Sequence, residues 1–276
     1  MNFKIYQSFY NKNQEQFIDK NFEKLDNTEN LKPELREYHI YKMCDDKIKK
    51  EKNNLTHWGV LSWCYKDKIN ISSEKIIETI NNNPDYDLYF FNPFYLESLV
   101  FYNSWENGNH HHKEMISIVE QLFPILNLDT KYIYDPMNTN NMFYCCYFIA
   151  NKNFWDGYFE IFDKYFDALK KIDSKIIELH NKTADYKKDS NLNYFPFIHE
   201  RLIACYTSMK NLKVYATHNL HGINRSKLYI DHNNLKKESI LEKNKTKLKK
   251  WIDERMFLYG TIDYTAYSLL ERCSWK

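Results

Sequence analysis

Asp85 and Asp87 form an Asp-Tyr-Asp triplet ahead of the apolar run Leu88–Phe91. In an extended chain, residues i and i+2 point to the same side. Two carboxylates so placed can share one hard divalent cation, manganese or magnesium, and such a cation can neutralise a diphosphate. A polar turn entering a strand is the plainer alternative, and Pro84 favours it. A second set follows the same run: Asn103, Trp105, Glu106, Asn109 and the consecutive His110, His111 and His112. Three adjacent histidines cannot all face one metal from a regular element. The chemistry they suggest is a sugar or acceptor pocket, with Trp105 stacked on a ring and Glu106 or His112 bonding hydroxyls. Solvated loop histidines are the alternative. A third set is His199-Glu200-Arg201 inside the apolar stretch Phe195–Cys205. Charged residues in such a stretch need a partner or a purpose. Glu200 can deprotonate an acceptor hydroxyl and Arg201 can hold a phosphate bidentately, or the two can form a structural ion pair. Arg36-Glu37 poses the same question, with a structural role favoured.

Other chemistries find little support. There is no GxGxxG and no Walker A, and the chain has only 5 glycines, so a glycine-rich phosphate loop is excluded. Ser62 and Ser208 lie far from any GxSxG. Cys205 sits in apolar surroundings that raise, rather than lower, a thiol pKa. The net charge of +2, with the signs intermixed, lacks the basic stripe of a nucleic-acid binder.

The elements that would position these groups read as α/β. Trp58–Tyr65, Ser72–Asn81 and Asp87–Phe91 make strand, helix, strand, close to the length of one βαβ unit. Ser72 is a fitting N-cap, and Ile76, Ile77 and Ile80 line the buried face of the helix. Ligands in open α/β sheets bind where strands end, which puts the expected site near Asp85–Pro93, with Asp87 and Glu200 in one cleft. Phe3–Tyr10 opens the sheet. Asn13–Lys20 reads as one or two helical turns and Glu34–Lys50 as a helix. Phe94–Gly108 reads as irregular, Lys113–Leu126 as a helix and Tyr132–Asp135 as a short strand. Asn141–Ala150, the most apolar run, reads as a central strand. Asn153–Leu179 reads as one long helix, Pro196–Met209 as another, and Lys213–His218 as a strand. The Lys-rich Leu235–Lys250 and the more apolar Trp251–Arg272 suggest a helical C-terminal extension over residues 221–276, after a main domain over 1–220. With 43% hydrophobic and 17% aromatic residues, the chain has ample material for a core. The six cysteines include no CxxC, as expected of a reducing compartment. No apolar run approaches the ~18 residues of a membrane span and the N-terminus carries no signal core, so a soluble, cytoplasmic protein is expected.

Six segments occur in a telling order: IYQSFY, LREYHI, HWGVLSWCYKDK, YDLYFFNP, NMFYCCYFIANKNFWDGYFEIF and FPFIHERL. Over residues 3–218 this order resembles GT-A-like glycosyltransferase domains associated with surface polysaccharide synthesis. The resemblance implies a mixed sheet flanked by helices, a nucleotide-diphospho-sugar donor, and a glycan or lipid-linked acceptor. It places Gly59 and Trp63 on the donor side and Asp87 and Asn92 near the diphosphate. Asn141 and Met142 fall at the sugar, and Glu200-Arg201 at the reaction centre. In typical members the metal-binding DxD follows a strand, whereas Asp85-Tyr86-Asp87 precedes one. Arg201, Lys66 or Lys68 can replace a cation at the leaving diphosphate. A non-catalytic glycan- or protein-binding protein of the same fold, and a metal-dependent hydrolase built on Asp85, Asp87 and the histidines, are the competing readings.

Overall fold

Strands that are apolar at nearly every position must be covered on both faces, and the sheet of this protein is. The computed structural model describes residues 1–52, 54–94, 101, 103–137, 139–184 and 192–218. The strands are β1 (Phe3–Phe9), β2 (Glu23–Asp26), β3 (His57–Ser62), β4 (Leu88–Asn92), β5 (Phe148–Asn151) and β6 (Val214–His218). The α-helices are α1 (Arg36–Lys50), α2 (Tyr65–Ile69), α3 (Ser73–Asn82), α4 (Ser104–His111), α5 (Met115–Ile125), α6 (Lys131–Tyr134), α7 (Lys152–Leu169), α8 (Ser174–Asn181) and α9 (Phe195–Met209). Residues 219–276, and with them the expected C-terminal extension and Cys273, lie outside the described residues.

The sheet order is β2-β1-β3-β5-β4-β6. β1 pairs parallel with β2 and β3, and β4 with β6, while β5 runs antiparallel to both β3 and β4. Five strands thus share one direction, and their carboxyl ends form one edge. Alternation sorts the side chains into two cores. Tyr6, Trp58, Val60, Leu88, Phe90, Phe148 and Ala150 join the larger core with α1 and the helices from α4 onward. Ile5, Leu61, Tyr89, Phe91 and Ile149 join a smaller core with Tyr65 and Ile69 of α2 and Ile76 and Ile80 of α3. The architecture is α/β, a mixed six-stranded sheet between helical layers. Gly59 is required where β5 crosses β3, because a Cβ there would collide with the Phe148 carbonyl oxygen. Its role is strand packing, not contact with a donor.

Several expectations change. Asn141–Ala150 is not one strand. Residues Thr139–Asn141 form a 3-10 turn, Cys145 has φ 66°, and only Phe148–Asn151 enters the sheet. The chain has to turn at Cys145 to return antiparallel. Tyr132–Asp135 is helical as α6. Asn153–Leu179 divides into α7 and α8. Residues of the expected irregular segment form α4, capped by the Asn103 side chain, which accepts from Glu106 N.

Asp87 is the largest correction. Its Oδ1 accepts from Asn151 Nδ2 at 2.7 Å and its Oδ2 from Lys213 N at 2.8 Å. It staples the start of β4 to the end of β5 and the start of β6. Both oxygens are engaged at the edge opposite the carboxyl ends, and Asp85 occupies a left-handed turn with φ 75°. The expected cation pair is replaced by a sheet staple. Asp87→Ala should therefore lower stability by about 2–3 kcal/mol, since hydrogen bonds to a charged acceptor are lost. Chemical denaturation reads this directly, and an unchanged midpoint would refute the staple.

Candidate functional site

At the carboxyl edge, the ends of β1 and β3 and the approach to β5 enclose a cavity of about 140 Å³. β1 contributes Ser8, and Tyr10 follows it. Ser62 ends β3, and Trp63 and Cys64 follow. Cys145, Cys146 and Tyr147 lead into β5. Helix α1 closes one wall with Glu37, Ile40 and Tyr41, α2 brings Lys68, and α9 brings Glu200. The smaller hydroxyls are set by the strands. Ser8 Oγ donates to the Leu61 carbonyl, Ser62 Oγ pairs with Tyr147 Oη at 3.1 Å, and Tyr41 Oη donates to the Cys146 carbonyl at 2.9 Å.

Glu200 is the chemically poised group. Its side chain keeps 27% exposure and lines the cavity. Burial pushes its carboxyl up to about 7, against the pull of Arg201, with Glu37 raising it further and Lys68 and the Cys145 backbone N–H holding it down. A carboxyl that gains and loses its proton near neutrality is suited to general acid–base work. Lys68 reaches the same space. Its Nζ lies 3.9 Å from Cys145 Sγ and 5.7 Å from the Tyr147 ring centre. Among the described residues no carboxylate lies within 4 Å of it. Lys66, by contrast, is tied to Asp19 at 2.7 Å. The Cys145 thiol is pushed up to about 12 by burial and by Glu200 and Glu37, which leaves it protonated.

Of the residues singled out from the sequence, the structure brings Glu200, Trp63, Lys68 and Glu37 to this cavity. Trp63 also meets the exposed Phe17 in a tilted ring pair at 5.7 Å. Arg201 is adjacent but committed elsewhere. It is 5% exposed, and it donates from Nε to the Ser104 carbonyl, from Nη1 to the Phe197 carbonyl and from Nη2 to Asn107 Oδ1. It is an anchor between α9 and α4, not a phosphate ligand at the surface. Its aliphatic stem and Nε occupy the place a side chain at Gly108 would need.

The remaining expected residues do not line this cavity. Asn92, 3% exposed, donates to the Met142 carbonyl and accepts from Phe94 N. Both contacts hold Asn92 to its own surroundings, and the cavity among the described residues opens over the ends of β1 and β3. Asp87 and Glu200 lie at opposite edges of the sheet. Asn103 donates to the Ile133 and Asp135 carbonyls. Trp105 is fully buried with Nε1 donating to Cys205 Sγ at 2.9 Å, so it cannot stack on a sugar. His112 is buried with its ring stacked on Phe197 at 3.7 Å. Asn141 donates to Ser208 Oγ at 3.0 Å, and Met142 is wholly buried. Glu106 follows the Asn103 cap in the first turn of α4 and is not among the residues lining the cavity.

Sequence reasoning weighed Glu37 together with Arg36 but favoured a structural role, and it passed over Ser8. The signal for Glu37 was its charge at the start of an otherwise amphipathic helix; for Ser8 there was none. Among the described residues no group of three or more His, Cys, Asp or Glu side chains converges as a metal site, and no helix is long and apolar enough to cross a membrane. The five described cysteines are free. No family model, curated protein or solved structure matches the chain.

Proposed function

We propose that the protein is a glycosyltransferase of GT-A-like fold, moving a sugar from a nucleotide-diphospho-sugar donor to a glycan or lipid-linked acceptor. The observation that carries the reading is Glu200, a carboxyl with its pKa near neutrality facing a cavity at the carboxyl edge of a mixed sheet. That edge is where α/β sheets hold ligands. In this reading Glu200 takes the proton of an acceptor hydroxyl. The oxygen attacks the anomeric carbon, and the bond from that carbon to the diphosphate breaks. The leaving diphosphate keeps the electron pair, and Lys68 offsets its charge.

The cavity, about 140 Å³, is smaller than the roughly 300–1,000 Å³ of pockets for drug-sized ligands. It has room for one sugar-sized ring. The rest of the donor lies across the mouth, beside Trp63 and Phe17. Asp87 is engaged by Asn151 and the Lys213 backbone at the opposite edge of the sheet, so Lys68 is the cation this reading uses.

The test is a panel of nucleotide sugars, with and without manganese, scored for release of nucleoside diphosphate and for binding. At least one donor is expected to be turned over. Binding of a sugar without turnover of any donor would instead favour a non-catalytic glycan-binding protein, the reading that the small cavity favours. Neither binding nor turnover across the panel would defeat both.

A further inference from the structure

The cavity holds a second carboxylate that the proposed chemistry does not use. Glu37 enters from the first turn of α1, on a different element from Glu200, and both line the same space. The chain bends sharply to put it there. Arg36, immediately before it, has φ 45° and ψ −127°, a conformation that costs a non-glycine residue of order 1–3 kcal/mol. Cys145, which lines the same cavity as Glu200, also has positive φ, at 66°. Unfavourable backbone therefore flanks the two carboxylates from both sides, as is common at functional sites.

We propose that Glu37 is a positioning residue for Glu200: its negative charge, presented to the same cavity, governs when Glu200 releases its proton. The inference rests on Glu200 as the acid–base group of the proposed function.

The other groups facing Glu200 leave this role to Glu37. On its own helix, Arg201 is a permanent cation whose donors are spent on carbonyls and Asn107. His199 is pushed down to about 3 by burial and stays neutral. From α2, Lys68 is a cation whose pKa is raised, first by Cys145. From the approach to β5, Cys145, Cys146 and Tyr147 are all pushed up by burial and stay protonated. From the end of β1 and from α1, Tyr10 and Tyr41 are raised in the same way. Cys64 completes the rim after β3. Two cations favour the ionised form of Glu200, and the Glu37 carboxylate opposes them. A like charge disfavours ionisation, so removing it lets Glu200 deprotonate at lower pH.

The experiment is a carboxyl ¹³C NMR titration of the full chain labelled at glutamate, with the Glu200 signal assigned by its loss in Glu200→Gln. Glu200 is expected to titrate near 7 in the unmodified protein. In Glu37→Gln the midpoint should fall by about one pH unit, the usual effect of one neighbouring charge. Glu37→Asp, which keeps the charge, should restore it. A midpoint unchanged in Glu37→Gln, or lowered equally in Glu37→Asp, would overturn the inference. If the midpoint moves as expected while no nucleotide sugar is turned over, the coupling stands and the glycosyltransferase reading fails. If a donor is turned over, the acid limb of kcat/KM should move by the same amount as the NMR midpoint.

Discussion

Glu200→Gln is expected to lower kcat/KM by about 100- to 10,000-fold, the contribution of a positioned general base, and to raise stability at neutral pH. The second effect follows from linkage. In the folded protein the Glu200 carboxyl is raised to about 7, against an ordinary value of 4.5. Between those two values the folded state binds more protons than the unfolded state, so stability falls as pH rises. The contribution is complete below the ordinary carboxyl value and is lost once pH has passed about 7. A shift of this size corresponds to roughly 3 kcal/mol, an upper figure because the side chain still sees water at the cavity mouth. Glutamine has no proton to lose. Its melting temperature should equal that of the wild type in mild acid and exceed it increasingly toward neutrality. Equal pH dependence of melting in the two proteins would show that Glu200 is an ordinary solvated carboxylate, and the proposed acid–base role would go with it. Full activity in the variant would remove the role directly. The pairing of lower activity with higher stability is the mark of a residue held in a poor environment for its chemistry.

How much of this was legible in the sequence depends on how far each residue's partners lie along the chain. Helix α3 was legible because its determinants are local: the Ser72 side chain caps Lys75 N, and Ile76 and Ile80 repeat at helical spacing. The strands β3 and β4 were legible as apolar runs, and the α/β class followed. Glu200 stood out because a carboxylate inside an apolar helix demands an explanation. The Asp-Tyr-Asp triplet misled because its meaning is set by Asn151, 64 residues away, and Lys213, 126 residues away. No local pattern distinguishes a carboxylate that staples three strands from one that waits for a cation. Trp105 misled for the same reason, since its partner Cys205 is 100 residues off. The antiparallel β5 was drawn too long because hydrophobicity marks burial, not pairing. Residues 142–144 are as buried as the strand itself, yet the chain must reverse at Cys145 before it can pair. The cavity lies at the ends of β1 and β3, while Asn92 at the end of β4 is engaged with the Met142 carbonyl and Phe94 N, contacts that no local pattern announces. Glu37 needed the topology, which alone brings α1 over the same edge as α9.

The second large effect separates the two halves of the Glu200-Arg201 pair. Arg201→Ala is expected to destabilise the protein by about 3–5 kcal/mol, the cost of stripping charge-assisted hydrogen bonds from buried acceptors, and to lower the melting temperature by roughly 10 °C. The side chain crosses from α9 to α4, and its three nitrogens reach the Ser104 and Phe197 carbonyls and Asn107 Oδ1 at 2.8–2.9 Å. Glu200 Oε2 lies 3.6 Å away. Truncation strips donors from buried oxygens, leaves a void beside Gly108, and removes the cation that most favours ionised Glu200. Lysine should not rescue it, because a point charge cannot reproduce the fork that serves three acceptors. The residue's effect on chemistry should be indirect: in the fraction that remains folded, the acid limb of the pH profile should move up, opposite to Glu37→Gln. Measured donor affinity should change little, since the guanidinium is buried among protein oxygens. A phosphate ligand would give the reverse pattern, with a stable variant, an unshifted acid limb and a steep loss of donor binding. Denaturation together with donor titration of Arg201→Ala therefore decides whether this arginine belongs to the scaffold or to the reaction.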